Sequence, residues 1–275
     1  MGCLSCFMAI MTIPPMVAAN EIAQVERKQS ELEAISAVKR LGARIERDDS
    51  GGVYKVSLEG THVTDADLIH LKQLSILSSL DLSNTKVTGE GLLQLKDNTR
   101  LETLGWHGQS ISAGALANLG RLSKLKTLDI SGARIGDQEL IGLRSLLGLE
   151  QLSLWETKIT DAGLVYLQPL IRLRVLILPT TVSDAGLGNL KSLKELRELH
   201  LSDTKIKDAG LAILSGLNAL EFLSLYGCDI SDTGLLHLHR LSKLRELNLG
   251  HTNTTAKGVG DLRRAIPNLK IQWPK

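Results

Sequence analysis

Metal binding, nucleophilic attack and acid–base catalysis each need particular side chains in one place, so the histidines, cysteines and clustered carboxylates come first. There are seven histidines, His62, His70, His107, His200, His237, His239 and His251, and three cysteines, Cys3, Cys6 and Cys228. His237 and His239 are two residues apart on a helical segment and face different directions, so they cannot chelate together. Glu198 and His200 form the best ligand pair, both pointing out of one strand. The nearest carboxylate at their level, Glu246, is two strands away, about 10 Å from strand spacing alone, which is too far for one ion. No His-Glu-x-x-His and no Gly-x-Ser-x-Gly occurs, and Cys3-Leu4-Ser5-Cys6 has no second Cys-x-x-Cys to pair with. Gly89-Glu90-Gly91, Gly186-Leu187-Gly188 and Gly258-Val259-Gly260 lack the third glycine of a phosphate loop. The residues thus point to no catalytic group, no metal and no cofactor, and the protein is expected not to be an enzyme.

Charge and composition narrow the reading further. Over 275 residues, 32 Lys+Arg against 30 Asp+Glu leave a net charge of +2. A nucleic-acid binder would normally show a basic stripe, so nucleic acid is not an expected partner. Aromatic residues are 3% of the chain, so leucine must fill the core volume that aromatics usually supply. The uncharged segment 1–19, with Phe7 to Ile13 followed by Pro14-Pro15 and a small-residue run ending at Ala19, is read as a signal peptide cleaved after Ala19. Its n-region has no lysine or arginine. The stretch is short and broken by two prolines, so no membrane span is expected. Met1-Gly2-Cys3 begins like a myristoylation site, but the sixth residue is Cys6 rather than Ser or Thr. A lipobox ending at Cys6 would have no hydrophobic region before it. With the leader removed, Cys228 remains without a partner for an intrachain disulfide, so stability must come from the core.

The elements that must position any site are set by an internal period. A Leu-x-x-Leu-x-Leu pattern starts at Val53, Leu77, Leu101, Leu125, Leu149, Leu173, Leu196, Leu220 and Leu244, with steps of 24 residues and one step of 23. The short step comes from a residue missing near Thr180-Thr181-Val182, which predicts a tighter turn there with Leu173, Leu176 and Leu178 still in register. Inside the unit 149–170, Leu152 and Leu154 alternate, as on a strand with one buried face. Leu164, Leu167 and Leu170 then recur every three residues along a short helix. Thr160-Asp161, Ser183-Asp184 and Ser231-Asp232 read as helix starts, a hydroxyl cap followed by a carboxylate at the positive end of the helix dipole. On that reading the column Asp137, Asp161, Asp184, Asp208 and Asp232 is explained by the dipole. The column Gly91, Gly163, Gly186, Gly210, Gly234 and Gly258 is explained by close approach of neighbouring helices. No element this short buries its apolar side alone; stacked units build one continuous core.

The motif Ile159-Thr160-Asp161-Ala162-Gly163-Leu164, repeated over nine aligned units, resembles the leucine-rich repeats of the cysteine-containing (F-box protein) type and the similar 24-residue repeats of planctomycete bacteria. The resemblance implies an α/β fold, a right-handed curved solenoid with a parallel sheet on its concave side and helices on its convex side. It also implies a role in protein–protein interaction. Cys228 falls where other units carry Thr61, Thr85, Thr157, Thr204 and Thr252, the position that names the cysteine-containing type, and is read as structural. No F-box-like segment precedes the array, so a ubiquitin-ligase adaptor role does not carry over.

The expected organisation is a signal peptide over 1–19, a capping helix and strand over 20–52, nine leucine-rich repeats over 53–265 and a closing strand over 266–275. In the cap, Ile22, Val25, Leu32, Ile35, Val38 and Leu41 are read as the apolar side of a helix ended by Gly42. Trp106 takes the place of a core leucine, and Trp273 covers the far end. On the concave face Trp155, Ile177, His200, Phe222 and Tyr226 are the candidate binding residues, since exposed Trp and Tyr are frequent interface anchors. The function expected is a monomeric, secreted or periplasmic module that binds a protein partner on this face. The alternatives are a passive envelope-associated scaffold, or carbohydrate binding by Trp155 and Tyr226.

Overall fold

A computed structural model describes residues 15–108 and 110–273, the side chains of 15–19 excepted. The leader expected over 1–19 therefore lies outside the described residues, except that the backbone from Pro15 already belongs to the first helix.

Among the described residues eleven strands lie in chain order in one sheet. β1 (Arg44–Arg47) pairs antiparallel with β2 (Val53–Ser57). From β2 onward all pairing is parallel, through β3 (Ser79–Asp81), β4 (Thr103–Gly105), β5 (Thr127–Asp129), β6 (Gln151–Ser153), β7 (Val175–Ile177), β8 (Glu198–His200), β9 (Phe222–Ser224), β10 (Glu246–Asn248) and β11 (Lys270–Gln272). The register places Leu80, Leu104, Leu128, Leu152, Leu176, Leu199, Leu223 and Leu247 side by side. All of them are buried, and each contributes about 1.5–3 kcal/mol by leaving water. The return path of each unit is helical. In the early units it is mainly 3-10 helix, as at Asp65–Gln73, Gly91–Asp97 and Glu139–Ser145. A three-residue leucine spacing is that helix's own period. Later units use short α-helices, α3 (Asp184–Leu187), α4 (Asp208–Leu214), α5 (Asp232–Leu238) and α6 (Ala256–Ala265); α2 (Ala113–Asn118) is the early exception. Trp106 is buried in the leucine position, its indole N–H donating to Val87 O at 3.4 Å.

The N-terminal cap differs from the sequence reading. α1 runs from Pro15 to Arg40, and Gly42, at φ +91°, ends it. Ala34, Ile35, Ala37 and Val38 are buried against the first unit, but Ile22, Val25 and Leu32 are exposed. At 100° per residue, the Ile22–Val25–Leu32 stripe lies roughly opposite the buried one. The six apolar residues therefore do not form one face, and only the last turns of the helix cover the open core layer. At the other end Trp273 packs partly buried against the core.

Asp184, Asp208 and Asp232 stand in the first turn of their helices, behind the caps Ser183 and Ser231 in two cases, and the aspartate column has a second task. Each aspartate reaches sideways to the cap of the next unit. Asp137 accepts from the Thr160 N–H and hydroxyl, both at 2.7 Å, Asp208 from those of Ser231 at 2.8 and 2.5 Å, and Asp232 from those of Thr255 at 2.8 and 2.6 Å. Asp65 serves Thr88, Asp161 serves Ser183 and Asp184 serves the Lys207 N–H in the same way. The carboxylate then occupies the space above the next unit's glycine: a Cβ on Gly163, Gly186, Gly210, Gly234 or Gly258 would stand 2.1–2.4 Å from the Oδ1 of the preceding aspartate. The neighbouring units approach closely here, with the Cα of Asp161 and Asp208 at 3.1 and 3.2 Å from a Cβ on Gly186 and Gly234, and the aspartate carboxylate is the nearest group. Where the aspartate is missing, so is the glycine. Gly89 replaces it in one unit and Ala115 follows in the next; Ala113 replaces it and Glu139 follows. Glu139 then accepts from its own cap, the Gly136 N–H, at 2.8 Å. Asp67, in the first unit with no repeat before it, serves Thr64 likewise at 2.8 Å.

Two further details tie the units together. Thr61, Thr85, Thr157, Thr204 and Thr252 each donate to the carbonyl three residues back in their own unit, at 2.6–2.7 Å. Cys228, in the same column, instead donates to Leu201 O of the preceding unit at 3.0 Å. Burial pushes its thiol pKa up, against a smaller opposing contact from Thr204, so it stays a structural thiol. In the shortened unit Leu173, Leu176, Leu178 and Leu187 remain buried and β7 keeps register with β8. Elsewhere a backbone N–H, that of Lys86, Lys158 or Lys205, bonds back to Val63, Ile135 or Val182. The shortened unit lacks that residue, and the Thr181 hydroxyl donates to Ile159 O in its place.

Candidate functional site

Alternation along each strand sends one set of side chains into the core and the other onto the concave face. Because the strands are in register, outward residues of successive units form rows. The row directly after the strands runs Ser83, His107, Ser131, Trp155, Pro179, Ser202 and Tyr226. Trp155 is 48% exposed, whereas its strand neighbour Leu152 is 1% exposed, as the alternation requires.

Around Trp155 the face opens into a depression of about 760 Å³, bounded by residues from Asn84 to Ser202. The structure brings three of the five sequence candidates into it: Trp155, Ile177 and His200. Phe222 stands at its edge, its ring 4.8 Å from that of His200. Tyr226 belongs elsewhere. It leans over Gly250, where an added Cβ would meet its ring at 2.7 Å, and packs edge-on against His251 at 4.9 Å. Glycine in that row is what lets the tyrosine tilt away from Trp155.

Residues not singled out from sequence complete the depression. His107 Nε2 lies 2.9 Å from Asp129 Oδ2. Asp129 Oδ1 accepts from the Ser131 N–H at 3.0 Å and the Ser131 hydroxyl at 2.6 Å, and the Ser131 and Ser153 hydroxyl oxygens are 2.7 Å apart. The carboxylate thus sits between histidine and serine. The Ser131 hydroxyl donates to Asp129 and not to a ring nitrogen, which is a hydrogen-bonded chain rather than a nucleophile held by its base. Burial lowers the pKa of His200, with Glu198, 4.0 Å away, opposing the shift. At neutral pH His200 is therefore an uncharged ring beside Ile177 and Phe222.

Glu156 is the most unusual member. It holds φ at +56°, at the corner where other units place Gly60, Asn84, Gly108, Gly132, Asp203, Gly227 and His251, all with positive φ. Glycine, asparagine, aspartate and histidine tolerate this region, while other residues pay about 1–2 kcal/mol there. Glu156 lines the depression and makes no ion pair among the described residues. The sequence signal for it was present: a glutamate in a column otherwise filled by turn-forming residues, directly after the most exposed tryptophan.

The profile described as Leucine Rich repeat matches residues 73–96, 121–140 and 193–215, three separate turns of the coil described above. The fold is that of leucine-rich repeat proteins. Among solved structures it is similar to an internalin (inlF) of Listeria monocytogenes, with a TM-score of 0.51, 18% identity, and coverage of 89% of this chain and 90% of that one. It is also similar to internalin C2 of the same species, with a TM-score of 0.54, 24% identity, and coverage of 77% and 84%. A leucine-rich repeat protein of Leptospira interrogans matches with a TM-score of 0.51 and 18% identity, over 74% of this chain and 62% of that one. At these identities the likeness is one of fold. No curated protein sequence gives a significant match. No helix among the described residues is long and apolar enough to cross a membrane.

Proposed function

We propose that this protein is a non-enzymatic binding module that holds a protein partner along its concave sheet, with Trp155 as the central anchor. The observation that carries the reading is a large aromatic side chain, half exposed, standing in the one depression that also gathers Ile177 and His200. Aromatic anchors in pockets supply most of the binding energy at protein interfaces. The apolar leader expected over 1–19 adds export from the cytoplasm, to the periplasm or beyond, with a mature chain that starts after Ala19. Carbohydrate binding by Trp155 and Tyr226 together is less favoured, because the two rings serve separate parts of the face.

The test is site-specific photo-cross-linking in the native cells. A cross-linker at Ile177 should capture one stoichiometric protein, and the same group at Ile141, on the helical side, should not. Capture from Ile141 alone, or nothing from either position, would leave the scaffold reading. Trp155→Ala should weaken partner binding by about 2 kcal/mol or more and change stability by less than about 0.5 kcal/mol.

A further inference from the structure

We infer that the depression at Trp155 receives a cationic side chain, an arginine or lysine from a basic segment of the protein partner. The inference deepens the concave-face reading and rests on it.

Three observations meet here. The first is Trp155, a large aromatic side chain 48% exposed within the depression. Tryptophan is the best aromatic platform for a cation, and the preference grows as the pair is desolvated. The second is Glu156, on the adjoining residue. Its carboxylate lies near Gly132, where an added Cβ would be 3.9 Å from Oε2, and it has no ion-pair partner among the described residues. The backbone holds it in the left-handed region that glycine would occupy without cost. A carboxylate kept at such a position and left unpaired is suited to a charge supplied from outside. Asp129 adds a second carboxylate, shared with His107.

The third observation is charge complementarity over the whole face. None of the residues lining the depression is a lysine or arginine. Along the outward positions of the sheet the cations are Arg44 on β1, Lys55 on β2 and Lys270 on β11. Each already holds a glutamate, Glu59 at 2.9 Å, Glu46 at 2.8 Å and Glu246 at 3.4 Å respectively. Asp81, Asp129 and Glu198 stand between them. Further cations lie just before the strands and are paired there, as in Lys126–Glu102 at 2.9 Å and Arg174–Glu150 at 3.1 Å. A chain of near-zero net charge thus presents an acidic concave surface with an aromatic platform at its centre. Such a surface steers a basic segment toward itself and repels an acidic one.

The probe is a nonapeptide of alternating glycine and arginine, titrated into the folded protein at pH 8. The Trp155 indole N–H signal and the binding heat are both followed. The expected result is saturable binding that moves this signal. Glu156→Gln and Trp155→Ala should each weaken it at least about threefold, while Glu26→Gln on α1 should leave it unchanged. Equal binding by the two depression variants would mean general adhesion to an acidic face and would overturn the inference, as would an unmoved indole signal. If a glycine–glutamate peptide or a neutral oligosaccharide moves the indole signal instead, the cation is wrong and the concave-face reading stands. Failure of the Ile177 cross-link, by contrast, removes that reading itself.

Discussion

From Asp137 to Gly258 every unit passes a carboxylate to the cap of the next, whereas between Thr88 and Glu139 two successive junctions have none. The two stretches share a core, a sheet and a period, so they isolate one variable. A helix start leaves N–H groups that need an acceptor. In the regular stretch the acceptor comes from the neighbouring unit, and a glycine must stand beneath it. In the interrupted stretch Glu139 supplies it from within the unit, and the glycine is not needed. Lateral capping couples a unit to its neighbour; local capping makes it self-contained. In a linear array, where each unit touches only those beside it, this sets how far unfolding spreads.

The largest effect should come from cutting between the two stretches. Leu152, buried in β6, lies at the unit that joins them, and Leu152→Ala should cost about 2–5 kcal/mol. Hydrogen exchange should then show the units before β6 opening at lower free energy than those after it. Equal loss on both sides would break the claim that the C-terminal stretch is the more strongly coupled.

Next in size is the glycine beneath the carboxylate. Gly234→Ala places a methyl 2.3 Å from Asp208 Oδ1 and should destabilise by about 1–3 kcal/mol. The decisive measurement is the double-mutant cycle with Asp208→Gly. The pair should be less destabilised than the sum of the two singles, because removing the carboxylate frees the space the methyl needs. Gly89 with Ala115 is the protein's own version of that double change. Strict additivity would show that the aspartate is not what excludes the methyl.

Smaller still is Glu139→Ala, expected to cost about 1 kcal/mol as the loss of a local cap, read from the denaturation midpoint. The effect should stay within the unit, so amide exchange beyond Gly163 should not change.

The smallest effect is in acid, and both devices should show it. Asp67 is held below the usual carboxylate range by the Thr64 N–H, then by its hydroxyl. Asp232 is held low by the Thr255 hydroxyl, then by its N–H. A folded-state pKa below the unfolded one means the contribution is present above about pH 4 and lost as pH falls through the folded value. Carboxyl chemical shifts followed from pH 6 to pH 2 should place both below free aspartate, near 3.9. An ordinary titration at Asp232 would remove the lateral hydrogen bonds from the account.

Much of this protein can be read before folding. The period fixes the strand leucines, the inward Trp106 and the outward Trp155, because alternation on a strand leaves no other register. The shortened unit at Thr180–Val182 is visible as a single missing residue. The aspartate–glycine relation was also in the sequence, but at a spacing of 26 residues, or 25 across the deletion, rather than at the repeat period. Comparing columns one at a time assigns each to its own helix and misses the link. What the sequence could not decide depends on how side chains lean and on where the solenoid's cross-section ends. α1 turns Ile22, Val25 and Leu32 away from the side that buries Ala34, Ile35, Ala37 and Val38, so they stay outside although their types suit a core. Tyr226 and Trp155 occupy one row, yet Gly250 lets the tyrosine tilt away, and the depression forms around tryptophan with His107, Asp129 and Glu156 instead. Periodicity determines which face a residue belongs to. Only packing in three dimensions determines which neighbours on that face it meets.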